Sequence, residues 1–307
     1  MREQTFTMTD PLGTQIHVYA WLPDEPAGVK AVLQITHGMC ETAERYKRLA
    51  ALLTRFRYAV YAHDQRGHGL TAGSVERLGH TGKDGFQHML QDIQQLGGIV
   101  RDRHPDIPHF LMGHSMGSFL VQRVMETDGG PYTGFILSGT NGPRSMLNAG
   151  KAVARLQGAL QGESHRSVLL NAMVFGSYNR SFAPTRTRFD WLSRDPKEVD
   201  KYIEDPYCGA ICTTSFFYDF FSLLQDIQNP GSYDGIPRDK PVYLFSGELD
   251  PVGEQGKGVR RLEDIYRSIG IKDVECRLYP NGRHEMLNEM NRDEVMTELL
   301  DWLERHV

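Results

Sequence analysis

The chain has 307 residues and a mass of 34.8 kDa, enough for one large domain or two small ones around a sizeable buried core. Its formal net charge of −5 gives no basic excess, which excludes a generic electrostatic grip on nucleic acid. Apolar residues make up 40% and charged residues 24%, ordinary for a soluble globular protein, and no apolar run approaches the roughly 18–20 residues that span a bilayer.

The N-terminal stretch MREQTFTMTDPLGTQ lacks a basic segment followed by an apolar core. No secretory leader is therefore expected, and the cytoplasm is the expected location. Residues 14–21 and Ala31–Thr36 then read as strands, and 43–56 as an amphipathic helix with Tyr46, Leu49, Leu52 and Leu53 on one face. YAVYA at 58–62 reads as a buried strand, followed by a Gly-rich turn over 64–69. A helical period over 84–103, a short strand at 110–112, a helix at 116–126 and a strand at 135–138 complete the first zone. Such strand–helix alternation predicts a parallel sheet with helices on both faces.

From 141 to 236 the rhythm breaks. Helical patterns occupy 145–160, 167–176, Pro196–Glu204 and 214–225, with no convincing strand. Alternation then resumes with PVYLF at 241–245, a helix over 256–269, the strand Val274–Tyr279 and a closing helix over Arg292–Arg305. The expected architecture is an α/β core, residues 1–140 and 237–307, interrupted by a helical cap over 141–236.

The sharpest motif is Gly113-His114-Ser115-Met116-Gly117, after the apolar strand FLM and before a helical pattern. A serine on a tight strand-to-helix turn projects its hydroxyl into a cleft. The flanking positions must be small for strand and helix to approach, hence glycine on both sides. A serine hydroxyl needs a base to take its proton. Of the twelve histidines, His284 is best placed, on the loop NGRHE between the last strand and the last helix. His114 adjoins the serine but must diverge from it. His37, His63 and His68 lie in early loops, where structural hydrogen bonding is the expectation. An acid must orient the imidazole; GELDPV follows the strand PVYLF and offers Asp250, with Glu248 as competitor. An oxyanion site needs backbone N–H donors. Met116, after the nucleophile, supplies one, and the loop His37-Gly38-Met39 supplies the other through the Met39 N–H.

HGM…ERY, YAVYAHDQRGHG, FLMGHSMGS, GELDPV and NGRHE together resemble the α/β-hydrolase superfamily, over about residues 10–305. More closely they resemble its monoacylglycerol lipase and lysophospholipase-like branch, grouped with serine aminopeptidase-like hydrolases. The resemblance implies a mostly parallel eight-stranded sheet. It also implies Ser115 as nucleophile, Asp250 as orienting acid, His284 as base, and Met39 and Met116 as oxyanion donors. Asp64 and Arg66, in the family's D-x-R-G-x-G turn, are expected to hold a loop rather than do chemistry. Where the family continues His-Gly with Gly-Glu-His, this chain has Met39-Cys40-Glu41-Thr42.

In the cap, Phe216, Phe217, Phe220, Phe221 and Leu224 form one wide apolar face. It either packs the cap onto the sheet or lines an acyl tunnel; Phe216, Phe217 and Phe220 are the candidate substrate contacts. Met39, Met116, Met146 and Met173 add adaptable surface. Arg180, Arg186 and Arg188 form a basic cluster, either solvated or facing a phosphate head group. The expected activity is hydrolysis of a carboxylic ester, a monoacylglycerol or lysophospholipid, with no metal or organic cofactor. The four cysteines make no disulfide framework, and Cys208 and Cys212 have poor zinc spacing. Partners would be a small ester or lipid and, transiently, a membrane surface. The alternatives are a short-chain carboxylesterase, a peptidase resembling proline iminopeptidases (which carry Trp where Met116 stands), or a non-catalytic ligand-binding member of the fold.

Overall fold

The strands of the computed structural model, which describes residues 1–25 and 28–307, are β1 (Arg2–Thr9), β2 (Gln15–Leu22), β3 (Ala31–Thr36), β4 (Tyr58–His63), β5 (His109–His114), β6 (Gly134–Ser138), β7 (Val242–Gly247) and β8 (Val274–Tyr279). They form one eight-stranded sheet in the order β1-β2-β4-β3-β5-β6-β7-β8. β1 and β2 pair antiparallel, as do β2 and β4; every later pairing is parallel. All residues of β3 to β7 are buried, as parallel strands covered on both faces must be.

One face is covered by α1 (Lys47–Arg55) and α9 (Arg292–Arg305), whose Leu49, Leu53, Leu299 and Trp302 pack on Tyr58, Phe110 and Phe245. The other carries α2 (Gly85–Arg103), α3 (Met116–Asp128) and α8 (Lys257–Ser268). The helix expected from residue 43 starts as a 3-10 turn, Ala43–Tyr46. There the Asp64 carboxylate takes the Ala43 N–H at 2.9 Å. β1 is an element the sequence reading lacked. It is a half-exposed edge strand whose polar residues give no buried run.

Between β6 and β7 run α4 (Leu147–Gln161), α5 (Val168–Phe175), α6 (Pro196–Glu204) and α7 (Thr214–Asp226). Among the described residues this segment adds no strand, only the bridge Arg166↔Thr213. α7 begins where the Thr213 side chain accepts the Phe216 N–H at 3.3 Å. Its inner face joins the core: the Phe216 ring meets Phe86 of α2 at 5.0 Å, edge to face.

Candidate active site

A single residue, Ser115, separates β5 from α3. Its φ of 52° and ψ of −121° lie where L-residues rarely go. The neighbouring glycines make this turn possible. A Cβ on Gly113 would overlap the Gly117 carbonyl, and one on Gly117 would overlap the Thr36 carbonyl. Ser115 is half-buried, and its N–H donates to the Ser138 carbonyl at 2.9 Å. As the first residue of α3, Met116 has no carbonyl one turn back, and its N–H has no protein acceptor among the described residues.

The loop after β3 approaches the same serine. A Cβ on Gly38 would stand 3.2 Å from the Ser115 Cβ. The His37 ring fixes this loop: Nε2 accepts the Gln65 N–H at 2.9 Å, and Nδ1–H donates to the Gly38 carbonyl at 2.7 Å. Glu41 takes the Gly38 N–H at 2.5 Å and the Tyr46 hydroxyl at 2.9 Å. The next N–H, that of Met39, is left without a protein acceptor among the described residues.

His284 and Asp250 come from the loops after β8 and β7. The His284 Nδ1–H donates to the Asp250 carboxylate, 3.0 Å from each oxygen. Asp250 also accepts the Ser246 hydroxyl and the Val252 N–H, each at 2.8 Å. Glu248, the competing acid, is exposed. Burial pushes the His284 ring down, but the Asp250 carboxylate overrides it and raises the ring above its ordinary value. Burial likewise pushes Asp250 up, and His284, Ser246 and Val252 together hold it below the usual carboxylate range. His114 is different. Burial and the neighbouring His284, 4.7 Å away ring to ring, bring it down to about 3. It stays neutral and holds Ser138 Oγ at 3.2 Å.

Ser115 and His284 line one cavity of about 310 Å³, with Met39, Phe175, Trp191 and Tyr202. Among the described residues no hydrogen bond joins the Ser115 hydroxyl to the imidazole. A second cavity of about 410 Å³ shares Ser115 and Met39 and adds Met116, Phe119, Phe220 and Leu224. Of the candidate aromatic contacts, Phe220 borders this second cavity. Phe216 and Phe217 border neither. Both are fully buried, Phe216 against Phe86 and His68, so their side of α7 is packing.

Asp64 and Arg66 stand apart from the cavities. Asp64 accepts the Ala43 and Leu70 N–H groups at 2.9 and 2.8 Å. Arg66 grips Asp92 at 2.7 and 2.9 Å and Asp10 at 2.5 Å. Of the arginine cluster, Arg186 pairs with Asp200 at 2.6 Å, while Arg188 lies over Phe189 at the first cavity.

Two features had no place in the sequence reading. The Trp191 ring lies 5.0 Å from the His284 ring, and the Leu192 carbonyl accepts the Glu285 N–H at 2.8 Å. The helical segment thus grips the histidine loop. Arg45 bridges Glu41 and Glu285, tying that loop to the loop of Gly38. The four-residue spacing of Glu41 and Arg45 was the available signal for an ion pair; nothing local pointed to Glu285 as its third member.

Known proteins resemble the chain over most of its length. The family model described as serine aminopeptidase, S33, matches residues 27–291. The chain is 28% identical over 301 residues to the monoacylglycerol lipase of Mycolicibacterium smegmatis, covering 96% of this chain and 95% of that one. It is 27% identical over 288 residues to the monoglyceride lipase of Mus musculus, covering 92% and 86%. A highly thermostable carboxyl esterase from Bacillus coagulans, solved in complex with glycerol, superposes with a TM-score of 0.92 at 26% identity, covering 100% and 99%. With the eight-stranded sheet of that fold and a family match spanning most of its length, the chain belongs to the serine aminopeptidase S33 family of α/β-hydrolases.

Proposed function

We propose that the protein hydrolyses carboxylic esters of the monoacylglycerol type. Ser115 is the nucleophile, His284 the general base, Asp250 the orienting acid, and the Met39 and Met116 N–H groups the oxyanion donors. The carrying observation is the His284–Asp250 pair, 3.0 Å apart, facing a strained half-buried serine across one cavity.

With Nδ1–H held by Asp250, Nε2 is the ring nitrogen left to take the serine proton. Ser115 Oγ bonds to the ester carbonyl carbon, and the carbonyl oxygen becomes an oxyanion beside the two unused N–H donors. The C–O bond breaks, and His284 returns its proton to the leaving alcohol. Water then repeats the steps on the acyl-serine.

The substrate class rests on the two cavities that meet at Ser115. The second is lined by Phe119, Phe220 and Leu224, suited to an acyl chain, whose burial is worth about 0.8 kcal/mol per methylene. Residues 141–236 act as the cap over it. Exposed Met146 and Met173, which border this cavity, lie with exposed Leu160, Val168 and Leu169 on the cap. These exposed apolar side chains support transient contact with a lipid surface. The peptidase alternative needs a carboxylate free to bind an amine. The carboxylates at the first cavity are Glu41 and Glu285, and Arg45 occupies both.

One observation favours a second substrate class. Arg188 borders the first cavity and forms no ion pair among the described residues, which suits the phosphate of a lysophospholipid. A panel of monoacylglycerols, lysophospholipids and a proline anilide tests the reading. Turnover of the monoacylglycerols, rising with chain length, is expected. Cleavage of the anilide alone would replace the proposal with the peptidase.

A further inference from the structure

Cys40 directly follows the proposed oxyanion donor Met39, at the position where the sequence departs from its family's pattern. Its backbone lies in the left-handed region, φ 58°. The Cys40 carbonyl accepts the Gly209 N–H and the Tyr202 hydroxyl, each at 2.9 Å, so this loop is moored to the helical segment. Cys212 belongs to that segment, and its sulfur lies 3.4 Å from the sulfur of Cys40. Both thiols are free. A disulfide requires about 2.05 Å between sulfurs, so closure asks for a shift of about 1.4 Å.

The two thiols are unequal. Both are buried, but Cys40 borders the cavity that holds Ser115, whereas Cys212 lines neither cavity. The Cys212 thiol, helped by His68, outweighs burial and lowers the Cys40 thiol, whereas burial and Cys40 push Cys212 well up. A lowered thiol at the edge of a cavity, with a second sulfur 3.4 Å away, is the arrangement of a peroxide-oxidised cysteine and its resolving partner.

We propose that Cys40 and Cys212 form a reversible disulfide on exposure to a peroxide, and that this bond slows the chemistry at Ser115. The Cys40 thiolate attacks one peroxide oxygen, the O–O bond breaks, and Cys40 sulfenic acid and hydroxide form. The Cys212 sulfur then attacks the Cys40 sulfur. The S–O bond breaks, and the hydroxyl leaves with the Cys212 proton as water. Two thiols and one hydrogen peroxide thus become one disulfide and two waters, and an added dithiol reverses the change. Drawing Cys40 toward Cys212 moves the adjoining Met39 N–H, and an oxyanion donor works only within a few tenths of an ångström of its target. The disulfide stands on the sulfur geometry; its effect on rate also rests on the proposed hydrolase reading.

The test uses the full chain, with and without hydrogen peroxide, followed by thiol blocking and peptide mass mapping. Ser115 labelling by a fluorophosphonate is timed in parallel. A Cys40–Cys212 cross-linked peptide is expected, lost in Cys40→Ser and in both Cys212→Ser and Cys212→Ala, and retained in Cys208→Ser. Labelling of the oxidised protein should slow about a hundredfold, the cost of one lost oxyanion donor, and recover with dithiothreitol; in Cys40→Ser, peroxide should leave the rate unchanged. Cys40 recovered unoxidised, joined to Cys208, or as sulfinic acid without the cross-link would overturn the disulfide. A cross-link that leaves the labelling rate unchanged would overturn the control. A reduced wild type that never labels would count against the hydrolase reading alone, because the cross-link is read by mass.

Discussion

Arg45 holds Glu285 with both arms of its guanidinium, at 2.7 and 2.6 Å, and Glu41 with one, at 2.7 Å. Glu285 follows His284 in sequence, and Glu41 accepts the Gly38 N–H. One partly buried cation therefore ties the loop of His284 to the loop of Gly38. Arg45→Ala leaves two buried carboxylates without their counter-charge, which costs about 3–5 kcal/mol. Urea denaturation should register that loss. Arg45→Lys should recover only part of it, because an ammonium cannot make the two-armed contact.

Asp250 sets the pH profile. It raises His284 against the opposing pull of burial. With the neutral imidazole as the proposed base, kcat/KM should be full above the His284 pKa and fall as pH drops through it. In Asp250→Asn the raising charge is gone, and the acid limb should move to lower pH. The amide also no longer favours the tautomer with Nδ1–H, and kcat should fall by about 10⁴. A limb that stayed in place would separate Asp250 from the base.

Neighbours on α7 should give opposite phenotypes. Phe220 borders the second cavity, so Phe220→Trp should narrow it and raise KM for long-chain esters more than for short ones. Phe216 is fully buried in the core. Phe216→Ala should cost about 3–5 kcal/mol of stability and leave the chain-length preference unchanged. Chain-length profiles and thermal melts of both variants decide the point.

The serine turn should tolerate no side chain behind it. A Cβ at Gly117 would overlap the Thr36 carbonyl. Gly117→Ala must push α3 away from β3, which should lower the melting temperature and the rate of Ser115 labelling together. Gly130→Ala, which meets nothing within 4 Å, is the matched control and should change neither.

Much of this was legible in the sequence because the relevant signals are local. The strand Val274–Tyr279 and the helices Pro196–Glu204 and Arg292–Arg305 follow from hydrophobic period and flanking turns, and the structure has them at those bounds. Ser115, His284 and Asp250 could be proposed because each follows a strand end on a short loop. β1 escaped because an edge strand buries little and so has no apolar run. Phe216, Phe217 and Phe220 could not be sorted, since helical spacing shows which residues share a face but not what that face meets. Trp191 over His284 and Glu285 on Arg45 are contacts between residues 93 and 240 positions apart, set only by the tertiary fold.

The most direct test of the account is the site of covalent capture. The protein is treated with a fluorophosphonate, digested and mapped by mass. The adduct should lie on Ser115, be absent in Ser115→Ala, and form at least a hundredfold more slowly in His284→Ala. An adduct on another residue, or one that persists undiminished in Ser115→Ala, would contradict the assignment of the nucleophile and the mechanism built on it.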